Sequence, residues 1–323
     1  MNSIFKSLTS TRRLTFSFVI VIFIGSLLLS LPIVHYADAP STTYLDHLFN
    51  VVSMVCVTGL SVVPVASVYN GLGQVIAMCL MQIGGLGLVT LIAISTYLLR
   101  RRMNLSEQSL LQSALSYDNN NDLRHYLFNA YKITFIIESL VAIVLLFDFI
   151  PRFGLGHGIF NAIFLAVSAF CNAGFDNFGD ASLKQFALKP LVNLAVTTAI
   201  ISGGIGFAVW MDLKKAIKHF IKDKPYRFSA FSRSLSNQTR LVLATTGILL
   251  LLGTALTWLI EFKNAKTIGH YTFFQQIMVC FFQSVTMRTA GFATISYLDT
   301  HSATNVLYMI QMIIGGAPGG TAG

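Results

Sequence analysis

The chain has 323 residues, 54% hydrophobic and only 11% charged, with a mean hydropathy of +0.68. That leaves too little charge to cover a soluble surface, so the composition excludes an ordinary soluble domain and points to a membrane protein. The net charge of +9 is no nucleic-acid signature, because Lys and Arg sit in short segments between apolar runs with no aromatic-plus-basic groove motif.

In chain order, the first apolar run, 14–31, follows Lys6, Arg12 and Arg13. It lacks an A-x-A cleavage site and many spans follow it, so it reads as a retained helix rather than a signal peptide. Further runs at 71–99, 127–150, 191–210, 241–260 and 304–316 approach the length of about 20 residues that a spanning helix needs. Between them lie shorter apolar stretches at 44–56, 158–171 and 271–285, too short to cross and each followed by a Gly-containing segment. These predict re-entrant half-helices. Cys56, Cys79, Cys171 and Cys280 all fall in apolar stretches, without metal-ligand or disulfide spacing, and read as small buried residues.

Charge sets the orientation. With a cytoplasmic N-terminus, the inner segments hold Lys6, Arg12, Arg13, Arg100, Arg101, Arg102, Arg124, Lys214, Lys215, Lys218, Lys222, Lys224, Arg227, Arg233 and Arg240. The outer segments hold only Arg152, Lys184, Lys189, Lys263, Lys266 and Arg288. By the positive-inside rule all three half-helices enter from outside.

Each half-helix ends in a related triplet: Val57-Thr58-Gly59, Asn172-Ala173-Gly174 and Thr289-Ala290-Gly291. The glycines are spaced by 115 residues (59 to 174) and 117 residues (174 to 291). A Gly pair recurs in each following helix, at Gly84-Gly85, Gly203-Gly204 and Gly315-Gly316, and Ser53 and Ser168 each stand six residues before their glycine. Such a period predicts an all-α polytopic membrane protein of repeated helix, pore-loop, helix units. Three units fit the chain, at 1–103, 104–223 and 224–323.

The chemistry follows from the backbone. A re-entrant half-helix directs the negative end of its dipole and its unpaired carbonyls toward the membrane centre, where a dehydrated cation needs them. Glycine permits the backbone angles such a strand requires. Non-helical backbone at that depth survives only when buried or lining a cavity. Three such loops around one axis make a ring of carbonyls, the design of a selectivity filter. The Gly pairs of the first two units read as close helix packing. The third opens Gly315-Gly316-Ala317-Pro318-Gly319-Gly320-Thr321-Ala322-Gly323, a run no ordinary helix carries. It is read as an intramembrane gate, against the alternative of a flexible helix terminus.

Glu138 lies in an apolar run, either as a functional carboxylate or paired with nearby Lys132. Arg288 precedes the third triplet and either repels entering ions or, the preferred role, caps the half-helix carbonyls. Asp38, Asp46, Asp176, Asp180 and Asp299, all placed outside, read as solvated loop charge or as groups concentrating cations at the mouth. His35, His47, His157, His270 and His301 show no ligand spacing, and there is no nucleophile motif, phosphate loop or dinucleotide fingerprint. An intramembrane enzyme would need facing ionisable groups at depth, and an organic-solute transporter would show inverted repeats. The enzyme reading is therefore set aside.

The triplets, the stretches Asn172-Ala173-Gly174-Phe175 and Arg288-Thr289-Ala290-Gly291-Phe292, and the run from Gly315 resemble the Trk/Ktr/HKT superfamily of potassium uptake proteins. With one helix ahead of the first pore loop, the chain is more similar to the bacterial Ktr branch. The resemblance implies four units around a pseudo-fourfold pore in the bacterial inner membrane. Potassium would be coordinated by the carbonyls of Val57, Thr58, Gly59, Asn172, Ala173, Gly174, Thr289, Ala290 and Gly291. The segment Gly315, Gly316, Ala317, Pro318, Gly319, Gly320 and Thr321 would then match the family's gating loop. Glycine at position 59 fits potassium preference, since serine there marks sodium-selective plant relatives. The resemblance further implies a homodimer on a cytosolic nucleotide-binding ring, no bound cofactor, and sodium as an activator. The basic inner segments would dock that ring or meet anionic lipid. The sequence stops at Gly323 inside the third unit, so the expectation is a piece lacking the fourth. An inactive or structural subunit and a less selective sodium/potassium transporter are the alternatives.

Overall fold

The computed structural model describes residues 10–98, 123–179, 181–222 and 234–322. Lys6, Arg100, Arg101, Arg102, Asp180, Lys224, Arg227, Arg233 and Gly323 lie outside the described residues. Among the described residues the fold is helical, apart from an isolated bridge between His35 and Tyr69. The helices are α1 (Ser10–Leu29), α2 (Tyr44–Cys56), the single turn α3 (Val65–Val68), α4 (Gly71–Leu98) and α5 (Leu123–Phe170). They continue with α6 (Pro190–Gly204), α7 (Phe207–Lys222), α8 (Asn237–Glu261), α9 (Phe273–Thr286) and α10 (Ser302–Ile314).

Local chemistry sets several of these boundaries. Capping boxes start α2 and α9: Thr43 pairs with Asp46, and Thr272 with Gln275. Ser236 caps α8 by accepting the Thr239 N–H, and Pro190 opens α6 where its missing N–H costs nothing. Gly154, at φ 77° and ψ 173°, breaks α5 into a long first segment and a short second one ending at Phe170. The short helices thus fall where the sequence placed half-helices, at α2, the end of α5, and α9.

Among the described residues, two helical stretches are long and apolar enough to cross a bilayer, Phe128–Phe170 and Asn237–Glu261. The expected span at 191–210 is instead a broken pair, Pro190–Gly204 and Phe207–Lys218, bent by 99°. Apolarity is continuous through that region, but Gly203-Gly204 and Gly206 (φ 90°) let the backbone leave the helix. Beyond the bend α7 carries Lys214, Lys215 and Lys218 alongside exposed Ile217 and Ile221, an amphipathic pattern suited to an interface. Thr15–Leu29, Gly71–Gly87 and Ser302–Ile314 are apolar but shorter.

Helix α5 packs on α6 and α4, α8 on α9 and α10, and α9 on α6, so the short helices end in the interior. Outside, Phe147 and Leu251 are each 72% exposed, as a lipid-facing surface requires. The reading of four buried cysteines holds for Cys171 and Cys280 only. Cys56 and Cys79 are exposed, on the faces of α2 and α4 that no described helix covers.

Candidate functional site

The three triplets share one backbone pattern. Val57 and Gly59 have φ of 56° and 73°, Asn172 and Gly174 54° and 73°, Thr289 and Gly291 73° and 89°, whereas no middle residue is left-handed. Alternating the hand of φ turns successive peptide planes so that neighbouring carbonyls point to the same side. Val57 and Thr289 are β-branched and disfavoured there, at about 1–3 kcal/mol each, so the surroundings must hold them.

That support repeats as well. The Ser53 hydroxyl accepts the Leu60 N–H at 2.9 Å, and the Ser168 hydroxyl accepts the Phe175 N–H at 3.0 Å. The serines six residues before each glycine therefore tie the residue after that glycine back to the half-helix. The first loop adds Thr58 Oγ1 donating to Ser53 Oγ at 2.8 Å, and Asn50 bridging to Val62 and Val63. The third loop has Val285 at the serine position and is held differently. Thr286 donates to the Phe292 carbonyl at 2.9 Å, and the Tyr297 hydroxyl donates to the same carbonyl at 3.0 Å.

The loops converge on their glycines. A β-carbon on Gly59 would lie 3.1 Å from Gly291 Cα and 3.3 Å from the Ala290 carbonyl oxygen. One on Gly174 would strike the Ala290 carbonyl and lie 2.9 Å from Gly59 Cα. Behind them, a β-carbon on Gly84 would sit 2.6 Å from the Val55 carbonyl, and one on Gly203 would strike the Phe170 carbonyl. The helix that follows each of the first two loops thus presses a glycine against the end of its own half-helix. This is the packing expected of the first two pairs, although Gly203-Gly204 also marks the break after α6.

The segment 315–322 docks into that break. Ala317 N–H donates to the Gly204 carbonyl at 2.8 Å, Thr321 N–H to Gly203 at 3.0 Å, and Phe207 N–H to Gly319 at 3.0 Å. The Arg288 guanidinium (Nε) donates to the Gly315 carbonyl at 3.1 Å, so the carbonyl it caps belongs to this segment and not to its own half-helix. Glu138 is 6% exposed and neighbours Gln82, whose Oε1 accepts from the Cys171 thiol at 3.4 Å; exposed Lys132 makes no ion pair with it.

Just beyond the second loop, Asp176 accepts from Phe178 N–H and from Ser182 at 2.7 Å, and Asn177 bridges Gln74 and Asn161. Burial pushes the Asp176 carboxyl up, against the opposing pull of those two hydrogen bonds. Sequence reasoning missed two clusters. Glu261, fully buried, accepts from Asn264, Thr267, Thr304 and the His301 N–H, capping the start of α10. His35 and His47 stack at 4.8 Å beside Tyr69. Both sets join residues far apart in sequence, and no spacing announces them.

Among the described residues this is an all-helical protein with helices apolar enough to span a membrane, and three of its short helices end on converging, alternately handed loops. Residues 5–323 match the TrkH family, described as a cation transport protein, and the chain belongs to it. It is 35% identical to the potassium/sodium uptake protein NtpJ of Enterococcus hirae over 318 residues, 98% of this chain and 67% of that one. It is 34% identical to the Ktr system potassium uptake protein B of Vibrio alginolyticus, over 97% of this chain and 65% of that one, and 32% identical to its namesake in Bacillus subtilis. The fold matches the potassium transporter TrkH from Vibrio parahaemolyticus with a TM-score of 0.64 at 20% identity, covering 95% of this chain and 58% of that one. The chain thus spans about two thirds of the length of these curated relatives.

Proposed function

We propose that this chain contributes to a potassium-conducting pore, with the triplets at Gly59, Gly174 and Gly291 as selectivity filter and residues 315–321 as gate. The observation that carries the reading is the repeated alternation of backbone hand in three loops that meet glycine to glycine. Three short helices direct the negative ends of their dipoles at these loops, where non-helical backbone presents its carbonyls. The uptake proteins it resembles support potassium as cargo. The name of the Enterococcus relative favours a second reading, a pore that also passes sodium. The same reading places the protein in the bacterial inner membrane with its N-terminus inside, as a homodimer on a cytosolic regulatory ring.

The test is potassium-uptake rescue in a transport-deficient cell by the full-length protein. Rescue is expected, and failure with the protein present in the membrane overturns the proposal. Within that system Gly59→Ser should raise sodium permeation relative to potassium. Unchanged selectivity would remove the first loop from the filter.

A further inference from the structure

The segment 315–322 is tied to the filter at both ends, and by side chains adjacent to or within the filter triplets. Near its start, the Gly315 carbonyl receives Arg288 Nε at 3.1 Å, and Arg288 immediately precedes Thr289. Near its end, the Thr321 hydroxyl donates to the Phe170 carbonyl at 2.6 Å and accepts from Asn172 Nδ2 at 2.8 Å. Phe170 closes the second half-helix, and Asn172 is the first residue of the second triplet. Asn172 is fully buried and Thr321 only 2% exposed, so water does not compete for these bonds.

The backbone bonds to Gly203 and Gly204 would form with nearly any sequence in the segment. The Asn172–Thr321 and Arg288–Gly315 bonds need those particular side chains. Between them lies a cavity of about 10 Å³, lined by Asn172, Gly204, Val285, Arg288 and Gly316 among others. That is room for about one water. As a gate the segment must move to open, and moving it takes from Asn172 its shortest hydrogen bond, 2.8 Å to Thr321, leaving only the longer ones to the Phe170 and Ile200 carbonyls.

We propose that Asn172 and Arg288 are positioning residues that latch segment 315–322 to the second and third filter loops, so that gate release and filter geometry change together. This rests on the reading of those loops as the ion filter. A segment that merely plugs the path would open without altering ion choice. A latched one cannot.

The test uses full-length protein in proteoliposomes, with rubidium flux and the rubidium-to-sodium flux ratio read on the same preparations. Thr321→Val removes the hydroxyl at constant shape. It should raise basal rubidium flux about 5- to 10-fold, as expected for two lost hydrogen bonds, and lower the flux ratio. Thr321→Ser should move both readouts back toward wild type. Arg288→Gln, at the other end of the segment, should shift flux and ratio in the same direction, and it carries the test if the valine variant does not fold. Raised flux with an unchanged ratio in both variants means a plain plug and overturns the latch, as does no change in either readout. Hydrogen exchange on the same proteins separates the latch from the transport reading. Thr321→Val should speed exchange in segments 315–322 and 168–175 together, whether or not the wild type conducts. Unchanged exchange in 168–175 overturns the latch, whereas absent wild-type flux overturns the transport reading alone.

Discussion

Glu261 shows what a single buried carboxylate does in this fold. It has no cationic partner among the described residues and is satisfied by four donors, from Asn264, Thr267, Thr304 and the His301 backbone. Its negative charge at the start of α10 also complements that helix's dipole. Truncation to alanine leaves those donors unpaired, at about 3 kcal/mol. Glu261→Ala should therefore lower the apparent melting temperature of the detergent-solubilised protein by several degrees, while Glu261→Gln, which keeps two acceptor lone pairs, should lower it less. Equal loss in the two variants would show that charge, not acceptor capacity, holds the site. At the same scale, Gly84 stands where a β-carbon would approach the Val55 carbonyl to 2.6 Å. Gly84→Ala should push the first half-helix off its seat and cut uptake at least tenfold, measured at matched membrane expression.

At the scale of elements, the sequence announces α2 and α9 because each is short, apolar and started by a Thr with a polar residue three positions on. It announces the three loops because a triplet ending in glycine recurs at spacings of 115 and 117 residues. It does not announce the 99° break after Gly204, since apolar residues run through it and the one cue, a third glycine at position 206, also occurs in straight helices. Nor does it reveal where Arg288 reaches, because the Gly315 carbonyl is placed by α10 rather than by α9. The start of α2 hides a further device. His47 Nδ1 lies 2.9 Å from the Tyr69 hydroxyl and Nε2 3.0 Å from Thr42 Oγ1, while its ring stacks on His35. Burial, then the charge His35 would carry, push the His47 imidazole below 6.5, against the smaller opposite effect of Asp46. A histidine held neutral contributes stability that is complete above the unfolded value of about 6.5 and lost as pH falls through the lower folded value. The melting temperature should accordingly drop between pH 7 and pH 5, and His47→Gln, which can still bridge Tyr69 and Thr42, should flatten that slope. A slope unchanged in the variant would assign the pH dependence elsewhere.

Across the whole molecule, the proposed filter is a contact among three loops rather than a property of any one of them. The backbone angles of each triplet are local, but the space denied to a β-carbon is not: what Gly59 would meet is Gly291 Cα at 3.1 Å, and what Gly291 would meet is Gly59 Cα at 3.1 Å and Gly174 Cα at 3.3 Å. Every one of these contacts crosses from one loop to another, so substitution at one glycine displaces strands encoded more than a hundred residues away. The three positions are nevertheless unequal. Gly174 is hemmed in hardest, with the Ala290 carbonyl pressed against it and Gly59 Cα at 2.9 Å. The second loop also has the least room to retreat, since Asn172 is anchored to Thr321 and Ser168 holds Phe175. Adding one methyl group should therefore damage rubidium uptake most for Gly174→Ala, and less for Gly59→Ala and Gly291→Ala. All three should fall well below wild type, because a left-handed φ also opposes alanine, by about 1–2 kcal/mol. If backbone strain alone set the cost, Gly291, with the largest φ of the three at 89°, would rank first instead. The order of the three variants, measured at equal protein in the membrane, thus separates crowding between loops from strain within each loop.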